Sequence, residues 1–416
     1  MGSVFVFIGM AINRYLPFAF LYFFFNSLGL PFGLTYTVLL APFFYWWVLT
    51  TRRKETLLPF LIVMFPIVFI QVFFVGVNDR VYFVSFLNLT ATYIFCQAFY
   101  TFLKKCRTTE LVLTRILVVN FILCIVAIVV YFTSLKGLFW ASQPLTKDIH
   151  DFERLKLFTY EPSYYAMLFV PVFFFFLLQI IFYQNARKSW QLFLMVVLPL
   201  VLSFSLGVIV AIALSLFAVF VVYFRRLVKN RRVVTALFIM ATVIVPVVAI
   251  WLVFFPGNTL FVRLENIVAG YDTSGKGRTY EAFYLSQKIL ALKSDLWGIG
   301  LGQVKVIGTN VIKDYYLYTV DYKSVAIPNA TAETLAIFGL TGLVARMAIE
   351  IGLFFYTKVW KNYYRLLLFL FVFVYQFTGS FITNVAEYII WILAFTNVFR
   401  QFDVPGREEP RFLLDQ

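Results

Sequence analysis

The chain has 416 residues, of which 62% are hydrophobic and only 13% are charged, and its formal net charge is +15. Soluble domains are about 45–50% apolar and about 25% charged, so this composition excludes an ordinary soluble domain. The basic residues lie in short gaps between apolar segments, almost without acidic neighbours, which excludes a nucleic-acid-binding surface and follows the positive-inside rule of membrane proteins.

The apolar segments predict transmembrane helices. A helix of roughly 20 apolar residues crosses a hydrocarbon core, and continuous rather than alternating hydrophobicity favours helices over a barrel. The predicted spans are 12–30, 33–50, 57–77, 81–103, 116–135, 164–184, 190–205, 207–224, 233–255, 331–357, 366–382 and 385–399. The sequence therefore predicts an all-α, polytopic integral membrane protein with about 12 transmembrane helices, formed by one domain over residues 1–402 and a cytoplasmic tail over 403–416.

The basic gaps also predict the topology. With Arg52, Arg53 and Lys54 on the cytoplasmic side, every later basic gap falls on the same side, and both termini are cytoplasmic. Two large loops, about 136–163 and 256–329, then lie on the outer face. Loops of this length are usually functional or disordered, and the composition of the longer one, rich in Tyr, Leu and Ile, favours a folded segment.

The first outer loop returns to the membrane through a charged segment. Arg154 and Glu161 are costly at a membrane boundary unless they are paired or line a wet cavity. The functional interpretation is an arginine for a phosphate group and a carboxylate for a hydroxyl group. The structural alternative is a helix start, in which Ser163 caps the next helix and Glu161 favours its positive end.

The second outer loop contains Arg263 and the segment 274–278, which ends in Arg278. A guanidinium group matches phosphate oxygens bidentately, Lys276 adds charge, and the adjacent glycines could expose backbone N–H groups at a helix N-terminus. The alternative is a solvated loop whose cations pair with Glu265 and Asp272. A helix over 278–294 is predicted to lie with its apolar stripe, Ala282, Leu285, Ile289 and Leu292, against the membrane surface.

Further segments complete the outer face. Gly298–Gly302 and Ser205–Gly207 predict tight turns, and the tyrosines at 315, 316, 318 and 322 suit a membrane interface or sugar stacking. Asn329 is a candidate helix cap where the long loop returns, with Glu333 one turn inside the next span. Glu387 lies inside a predicted span and requires an interface or a basic partner. No set of His, Cys, Asp and Glu residues has metal-ligand spacing, so we expect neither a metal site nor a cofactor.

Taken in order, these motifs resemble the O-antigen polymerase (Wzy) family, within the O-antigen polymerase and ligase superfamily. The resemblance covers the arrangement of the whole chain and rests on Arg154 with Glu161-Pro162-Ser163, the Ser205–Gly207 turn, Arg263 with Arg278, the Gly298–Gly302 turn, and Asn329 through Gly339 and Gly342. Ligases typically place a histidine in the long loop near its return to the membrane. This loop contains none, which favours a polymerase.

The resemblance implies a multi-pass glycosyltransferase of the bacterial inner membrane, with both large loops and the active site on the periplasmic side. Such an enzyme of polysaccharide or lipopolysaccharide biosynthesis transfers a growing glycan from undecaprenyl diphosphate onto a lipid-linked repeat unit. The expected course is metal-independent inversion. The implied partners are undecaprenyl-diphosphate-linked oligosaccharide and membrane lipid, with no nucleic acid, and a chain-length regulator protein stays open as a further partner.

Within this resemblance, Arg154, Arg263 and Arg278 bind the diphosphates and stabilise developing charge. Glu161 is the expected base, with Glu333 second, because the long loop lacks a histidine. The remaining substrate-binding candidates are Lys276, Tyr160 and Asn329. Two alternatives stay open: an O-antigen ligase, and a lipid-linked oligosaccharide flippase or other transporter, which typically has short loops and charged spans.

Overall fold

A computed structural model describes residues 16–28, 30, 34–52, 57–143, 152–183, 186–229, 234, 265–266, 269, 273–316 and 326–405. The helices are α1 (Leu16–Phe23), α2 (Tyr36–Leu39), α3 (Ala41–Arg52), α4 (Leu58–Ile70), α5 (Asp79–Lys105), α6 (Thr109–Val130), α7 (Pro162–Phe182), α8 (Ala186–Ser203), α9 (Leu206–Leu227), α10 (Thr273–Arg278), α11 (Tyr280–Leu290), α12 (Gly308–Tyr316), α13 (Ala330–Tyr356), α14 (Tyr363–Tyr375) and α15 (Val385–Phe395). The two strands are β1 (Trp140–Gln143) and β2 (Phe152–Leu155).

Six of the described helices are long and apolar enough to cross a membrane: α5, α6, α7, α9, α13, and α4 together with the π-helical turn Gln71–Val75 that continues it. Shorter apolar helices cover Gln191–Ser203, α14 and α15. These helices confirm the prediction of a mostly helical, membrane-embedded protein. The total of about 12 spans and the side on which each loop lies stay predictions, and the predicted span 233–255 lies outside the described residues.

Helix α7 is the centre of the largest core. Of its most apolar 18-residue window, 72% is buried, whereas the corresponding values for α4 and α13 are 11% and 17%. A helix that is apolar on every face is stable in such a central position, because it has no polar face to turn towards water. Aromatic side chains of α7 pack on α14, as in the edge-to-face pair of Phe174 and Phe371.

Asparagine side chains begin four of the helices. Asn78, Asn329, Asn362 and Asn384 accept hydrogen bonds from backbone N–H groups in the first turns of α5, α13, α14 and α15. The first four N–H groups of a helix lack partners within it, and lipid offers none. Each asparagine therefore satisfies one backbone group that has no partner within its helix.

The loop before α7, which was predicted to be the first outer loop, contains a two-stranded antiparallel β-hairpin that was not predicted. Strands β1 and β2 are antiparallel, with Ala141 opposite Arg154. The hairpin is attached to the helices by the Trp140 indole, which donates to the Ala127 carbonyl of α6 at 2.8 Å, and by the fully buried Leu155. This attachment places Arg154 and the following segment at the start of α7.

The predicted helix of the second loop is shorter than expected and lies elsewhere. It covers Tyr280–Leu290, and its apolar stripe packs inside the protein against Ile299 and Ile337 instead of on the membrane surface. Leu292 lies beyond the helix end and is exposed. The membrane-surface prediction was wrong because the Gly298–Gly302 turn folds back over α11 and gives the stripe a protein partner.

Helix α13 is bent sharply at Gly339, where φ is 69° and ψ is −165°. The freed carbonyls of Ala336 and Ile337 accept hydrogen bonds from the N–H groups of Ile299 and Gly300, at 3.0 and 3.1 Å. The Gly298–Gly302 turn is thus confirmed, and it satisfies backbone groups that a break inside a membrane helix would otherwise expose.

The bend folds α13 into two segments, 330–338 and 340–356. Thr334 and Arg346 are twelve residues apart, a rise of about 18 Å in a straight helix, yet their side chains are joined by a 3.2 Å hydrogen bond. The predicted span over 331–357 is long and apolar enough to cross a membrane, but it contains a bend at Gly339 that the sequence analysis did not predict. The glycine at 339 adopts a backbone conformation that is essentially closed to other residues.

We expect Gly339→Ala to destabilise the protein. A Cβ atom at 339 would collide with the Leu296 carbonyl and lie 2.6 Å from the Gly298 nitrogen, and the backbone strain alone costs about 1–3 kcal/mol. Thermal unfolding of the purified protein in detergent measures the loss. Gly352→Ala is the matched control. Gly352 lies in the same helix, and a Cβ atom there would meet no atom within 4 Å. Equal melting temperatures for the two variants would contradict the close approach of the glycines.

Candidate active site

Four segments that are far apart in the sequence meet around Arg278. Its Nη2 atom lies 3.4 Å from Oε1 of Glu161, which immediately precedes α7. Its backbone carbonyl accepts a hydrogen bond from Asn329 at 2.8 Å, and the same Asn329 amide donates to Phe377 at 2.6 Å. The start of α7, the end of α10, the start of α13 and the turn after α14 therefore form one site.

Glu161 occupies the N-cap position of α7, but its carboxylate makes no capping hydrogen bond. The Ser163 hydroxyl donates instead to Oε1 of Glu161, the atom that also faces Arg278. The structural alternative was therefore wrong in assigning the cap to Ser163, whereas Glu161 does lie at the N-terminus of the helix, as that alternative expected. The Glu161 side chain keeps 23% of its surface accessible, so this carboxylate is held by Ser163 and Arg278 while it stays open to a ligand.

Arg278 ends α10 rather than opening the next helix. Gly275 and Gly277 lie inside α10, so they do not form the predicted segment before a helix N-terminus. Burial opposes the charge of Arg278, but its interactions with Tyr375 and Glu161 outweigh burial and raise the pKa of Arg278. A guanidinium that stays charged and keeps 34% of its side chain accessible can still bind an anion.

Asn329 has two functions at once. Its side-chain oxygen accepts from the N–H of Ala332 at 2.8 Å, which confirms the predicted helix cap. Its amide nitrogen donates to the carbonyls of Arg278 and Phe377, and the residue is completely buried. Asn329 is therefore a scaffold of the site and is not accessible as a direct ligand, in contrast to its predicted role in substrate binding.

Arg154 lies on the same side of the protein, but part of its guanidinium is already used. The residue is 7% exposed, and its Nε donates to the Ser203 carbonyl at the end of α8, at 3.1 Å. The predicted turn between the two spans is confirmed, but it is formed by Phe204 and Ser205, and Gly207 already lies in α9. A Cβ at Gly207 would lie 3.8 Å from the Tyr375 ring. Tyr375 is within electrostatic range of Arg154, Arg278 and Glu161.

Tyr160 is beside Glu161, and its ring packs in a tilted arrangement on that of Tyr164, with the ring centroids 4.8 Å apart. The Tyr164 hydroxyl accepts a hydrogen bond from Asn26 at 2.5 Å. The Tyr160 side chain is 36% exposed. Desolvation, followed by the influence of Tyr164 and Glu161, raises the pKa of Tyr160 well above that of an ordinary phenol. Its hydroxyl group therefore stays protonated and can donate to a ligand.

The remaining predicted residues are less central. Lys276 is exposed on α10, two residues before Arg278. The Glu333 carboxylate accepts a hydrogen bond from the N–H of Ile382 at 2.8 Å. Its observed contact is therefore structural, and Glu333 does not join Glu161 in the site. Tyr316 donates to Glu281 at 2.8 Å beside α10. Arg263, together with Tyr318 and Tyr322, lies outside the described residues.

Two features of this region were not predicted from the sequence: Tyr375 with the turn that follows it, and the identity of the basic partner of Glu387. Tyr375 and the turn 376–379 carry no local motif, because an aromatic residue at the end of an apolar span is ordinary. Glu387 was expected to lie at an interface or pair with a basic residue, and it pairs with Arg346. The only signal for the partner was an arginine within an apolar helix, a placement that in membranes usually marks pairing.

No protein-family model matches the chain, and no curated protein matches it. Among the described residues, no group of three or more His, Cys, Asp and Glu side chains could hold a metal ion. The groups that the site presents are the Glu161 carboxylate, the Arg278 guanidinium and the Tyr160 phenol.

We expect Asn329→Asp to destabilise the site while preserving the helix cap. A carboxylate still accepts from Ala332, but it cannot donate to Arg278 and Phe377, and each stranded buried carbonyl costs about 1–3 kcal/mol. The melting temperature in detergent should fall by several degrees. Asn78→Asp is the control, since exposed Asn78 caps α5 through the same kind of acceptor. An unchanged melting temperature for Asn329→Asp would mean that these two hydrogen bonds contribute little.

Proposed function

We propose that this membrane protein is an O-antigen or related polysaccharide polymerase of the bacterial inner membrane. It would transfer a growing glycan from undecaprenyl diphosphate to a lipid-linked repeat unit at the periplasmic face. The observation that carries the proposal is the contact between Glu161 and Arg278, both partly exposed, at a junction of loops and apolar helices. A general base and an anion-binding group are the two functions that this transfer requires.

The leaving diphosphate needs cations more than it needs an acid. Arg278 can bind its oxygens bidentately, and exposed Lys276 lies two residues away to add charge. The Arg278 to Glu161 distance of 3.4 Å is long for a charge-assisted hydrogen bond. A weak contact of this kind can be exchanged for a stronger one with a diphosphate. Arg154 adds a further positive charge near Tyr375, which is also within electrostatic range of Arg278 and Glu161.

The acceptor hydroxyl would be activated by Glu161. Among the described residues, both contacts of this carboxylate use Oε1, so Oε2 is available to accept the hydroxyl proton. As the acceptor oxygen bonds to the anomeric carbon, the bond from that carbon to the diphosphate oxygen breaks, and the electron pair leaves with the diphosphate. One displacement of this kind inverts the anomeric configuration. Tyr160 can stack on or donate to a sugar from the adjacent position.

A flippase or other transporter is the second candidate, and one observation favours it. The spans are not free of charge: Arg346, Glu350 and Glu387 meet inside the helical bundle, and α13 is bent. These charged groups are, however, bonded to one another and are largely buried. The partly exposed pair of Glu161 and Arg278 is the better substrate site, so the enzyme is the preferred function.

The deciding experiment uses purified protein in nanodiscs with a lipid-diphosphate-linked repeat unit of the host, resolved on a gel. A ladder of repeat units supports the polymerase. Product formed only after addition of a lipid A-core acceptor indicates a ligase. Absence of product in both assays, with movement of the labelled lipid between leaflets, indicates a flippase.

Glu161→Gln is expected to stop chain growth, because an amide keeps the contacts with Ser163 and Arg278 but cannot accept a proton. General-base catalysis contributes about 10²–10⁴-fold, so elongation should fall by about 100-fold or more in the ladder assay. Glu153→Gln is the control, because Glu153 lies nearby on strand β2 and binds Lys136 at 2.6 Å. Normal elongation by folded Glu161→Gln protein would exclude Glu161 as the base.

Arg278→Lys should also reduce elongation, by about 10- to 100-fold, since lysine keeps the charge but loses a bidentate, charge-assisted hydrogen bond. The expected signature is a higher apparent KM for the lipid-linked donor. Arg226→Lys serves as the control, because exposed Arg226 donates only to the Pro405 carbonyl among the described residues. Full activity of Arg278→Lys would show that a point charge is sufficient.

A further inference from the structure

Behind the candidate active site, a second group of charged residues is buried among the helices. Arg346 binds Glu350 through Nε at 3.0 Å and Glu387 through Nη2. Gln376 contacts Arg346 and Glu350. Its Oε1 accepts a hydrogen bond from Arg346 at 2.8 Å, and its Nε2 donates to Glu350 at 2.7 Å. Arg346, Glu350, Gln376 and Glu387 are called the Arg346 network below. Its members come from α13, α15 and the turn after α14.

The charges of this network do not balance if every member is ionised. One arginine meets two carboxylates, which leaves a net charge of −1. Glu350 is 6% exposed, Glu387 is 1% exposed, and Gln376 is completely buried. An uncompensated charge in such a place costs several kcal/mol, and a carboxylate usually avoids the cost by taking up a proton.

The neighbouring groups do not supply the missing positive charge. The titratable side chains that face the network from the surrounding elements are Glu333 of the first segment of α13, Tyr375 of α14 and Tyr388 of α15. A carboxyl group and two phenols add no cation. Lys305 is within electrostatic range of Glu333, but it is exposed and makes no ion pair with the network.

The second observation concerns one atom of Glu387. Its Oε2 is completely buried and has no hydrogen-bond partner among the described residues, although Oε1 is bound by Arg346. A buried carboxylate oxygen is a strong acceptor, and leaving it unpaired is costly. A metal cation would require several further oxygen ligands, and the described residues provide no such group. A proton requires only the carboxylates themselves.

We infer that the Arg346 network is a proton-binding site, in which one of the two carboxyl groups that face Arg346 holds a proton at neutral pH. With that proton bound, the network is neutral and one arginine is paired with one carboxylate. The site lies within the helical bundle, apart from Glu161 and Arg278, and its existence does not depend on the proposed transferase activity.

The proton also bears on the candidate active site through Gln376. The backbone carbonyl of Gln376 accepts hydrogen bonds from the N–H and the hydroxyl group of Thr331, at 3.3 and 3.2 Å. The next carbonyl, that of Phe377, accepts from Asn329. A neutral network therefore holds the turn from which Asn329 positions Arg278, whereas loss of the proton places a negative charge beside that turn.

Infrared spectroscopy of the purified protein in detergent tests the inference directly. The carbonyl stretch of a protonated carboxylic acid is separate from that of a carboxylate, and it shifts in D₂O. We expect the difference spectrum between wild type and Glu387→Gln at neutral pH to contain one such band, equal to one group per chain. Bands of other carboxyl groups are common to both spectra and cancel.

Glu350→Gln should remove the same band, although the other carboxyl group remains. After either substitution one carboxylate faces one arginine, so the remaining group is ionised and the proton is lost. Both amides resemble the protonated acid in shape, which favours normal folding, and melting temperatures check it. Glu161→Gln is the control and should keep the band. A wild-type spectrum without the band, or a band that survives either Glu350→Gln or Glu387→Gln, would overturn the inference.

Discussion

The buried amide of Asn329 is the interaction on which the arrangement of the candidate site depends. It caps α13 and holds the carbonyls of Arg278 and Phe377 through one side chain. The backbone segments at Arg278 and Phe377, which are 51 and 48 residues from Asn329 in the chain, are thereby held within hydrogen-bond distance of its side chain. The Arg278 backbone is held rigidly, while its guanidinium group keeps only a long contact with Glu161. A fixed backbone with an exchangeable side-chain partner is suited to binding an anion in an orientation that the protein determines.

The need to satisfy every backbone group explains much of the surrounding structure. In lipid an unpaired carbonyl has no water to turn to, so a bend in a membrane helix needs a protein partner. At Gly339 that partner is the Gly298–Gly302 turn, whose N–H groups bind the carbonyls released by the bend. Gly298 and Gly339 lie too close together for a side chain on either one. The long loop is consequently attached to α13 at two places, at the glycines and at Asn329, and Arg278 is held between α7 and the second of them.

Two groups of charged residues divide the electrostatic functions. Glu161 and Arg278 remain partly accessible, and each retains bonding capacity that a substrate can use. Arg346, Glu350 and Glu387 are bonded to one another and shielded from solvent. Gln376 links the two groups, since its side chain belongs to the buried network and its backbone receives Thr331 at the start of α13. A change in the protonation of the Arg346 network would therefore alter the charge next to the turn after α14, to which Asn329 and Thr331 bind.

The amino-acid sequence by itself determined the membrane-embedded helical class, the cap at Asn329, the turn at Gly298–Gly302 and a turn between α8 and α9, because hydrophobic periodicity, capping and glycine conformation are local properties. It also indicated Glu161, Arg154 and Arg278 as unusual charges, but not which of them meet. Only the tertiary structure decided that Arg278 contacts Glu161, that Glu333 is occupied by Ile382, that Tyr375 completes the site, and that the stripe of α11 faces protein. Each of these outcomes depends on contacts between segments far apart in the chain. The bend at Gly339 likewise involves a close approach of two backbones, at Gly298 and Gly339, that no local pattern encodes.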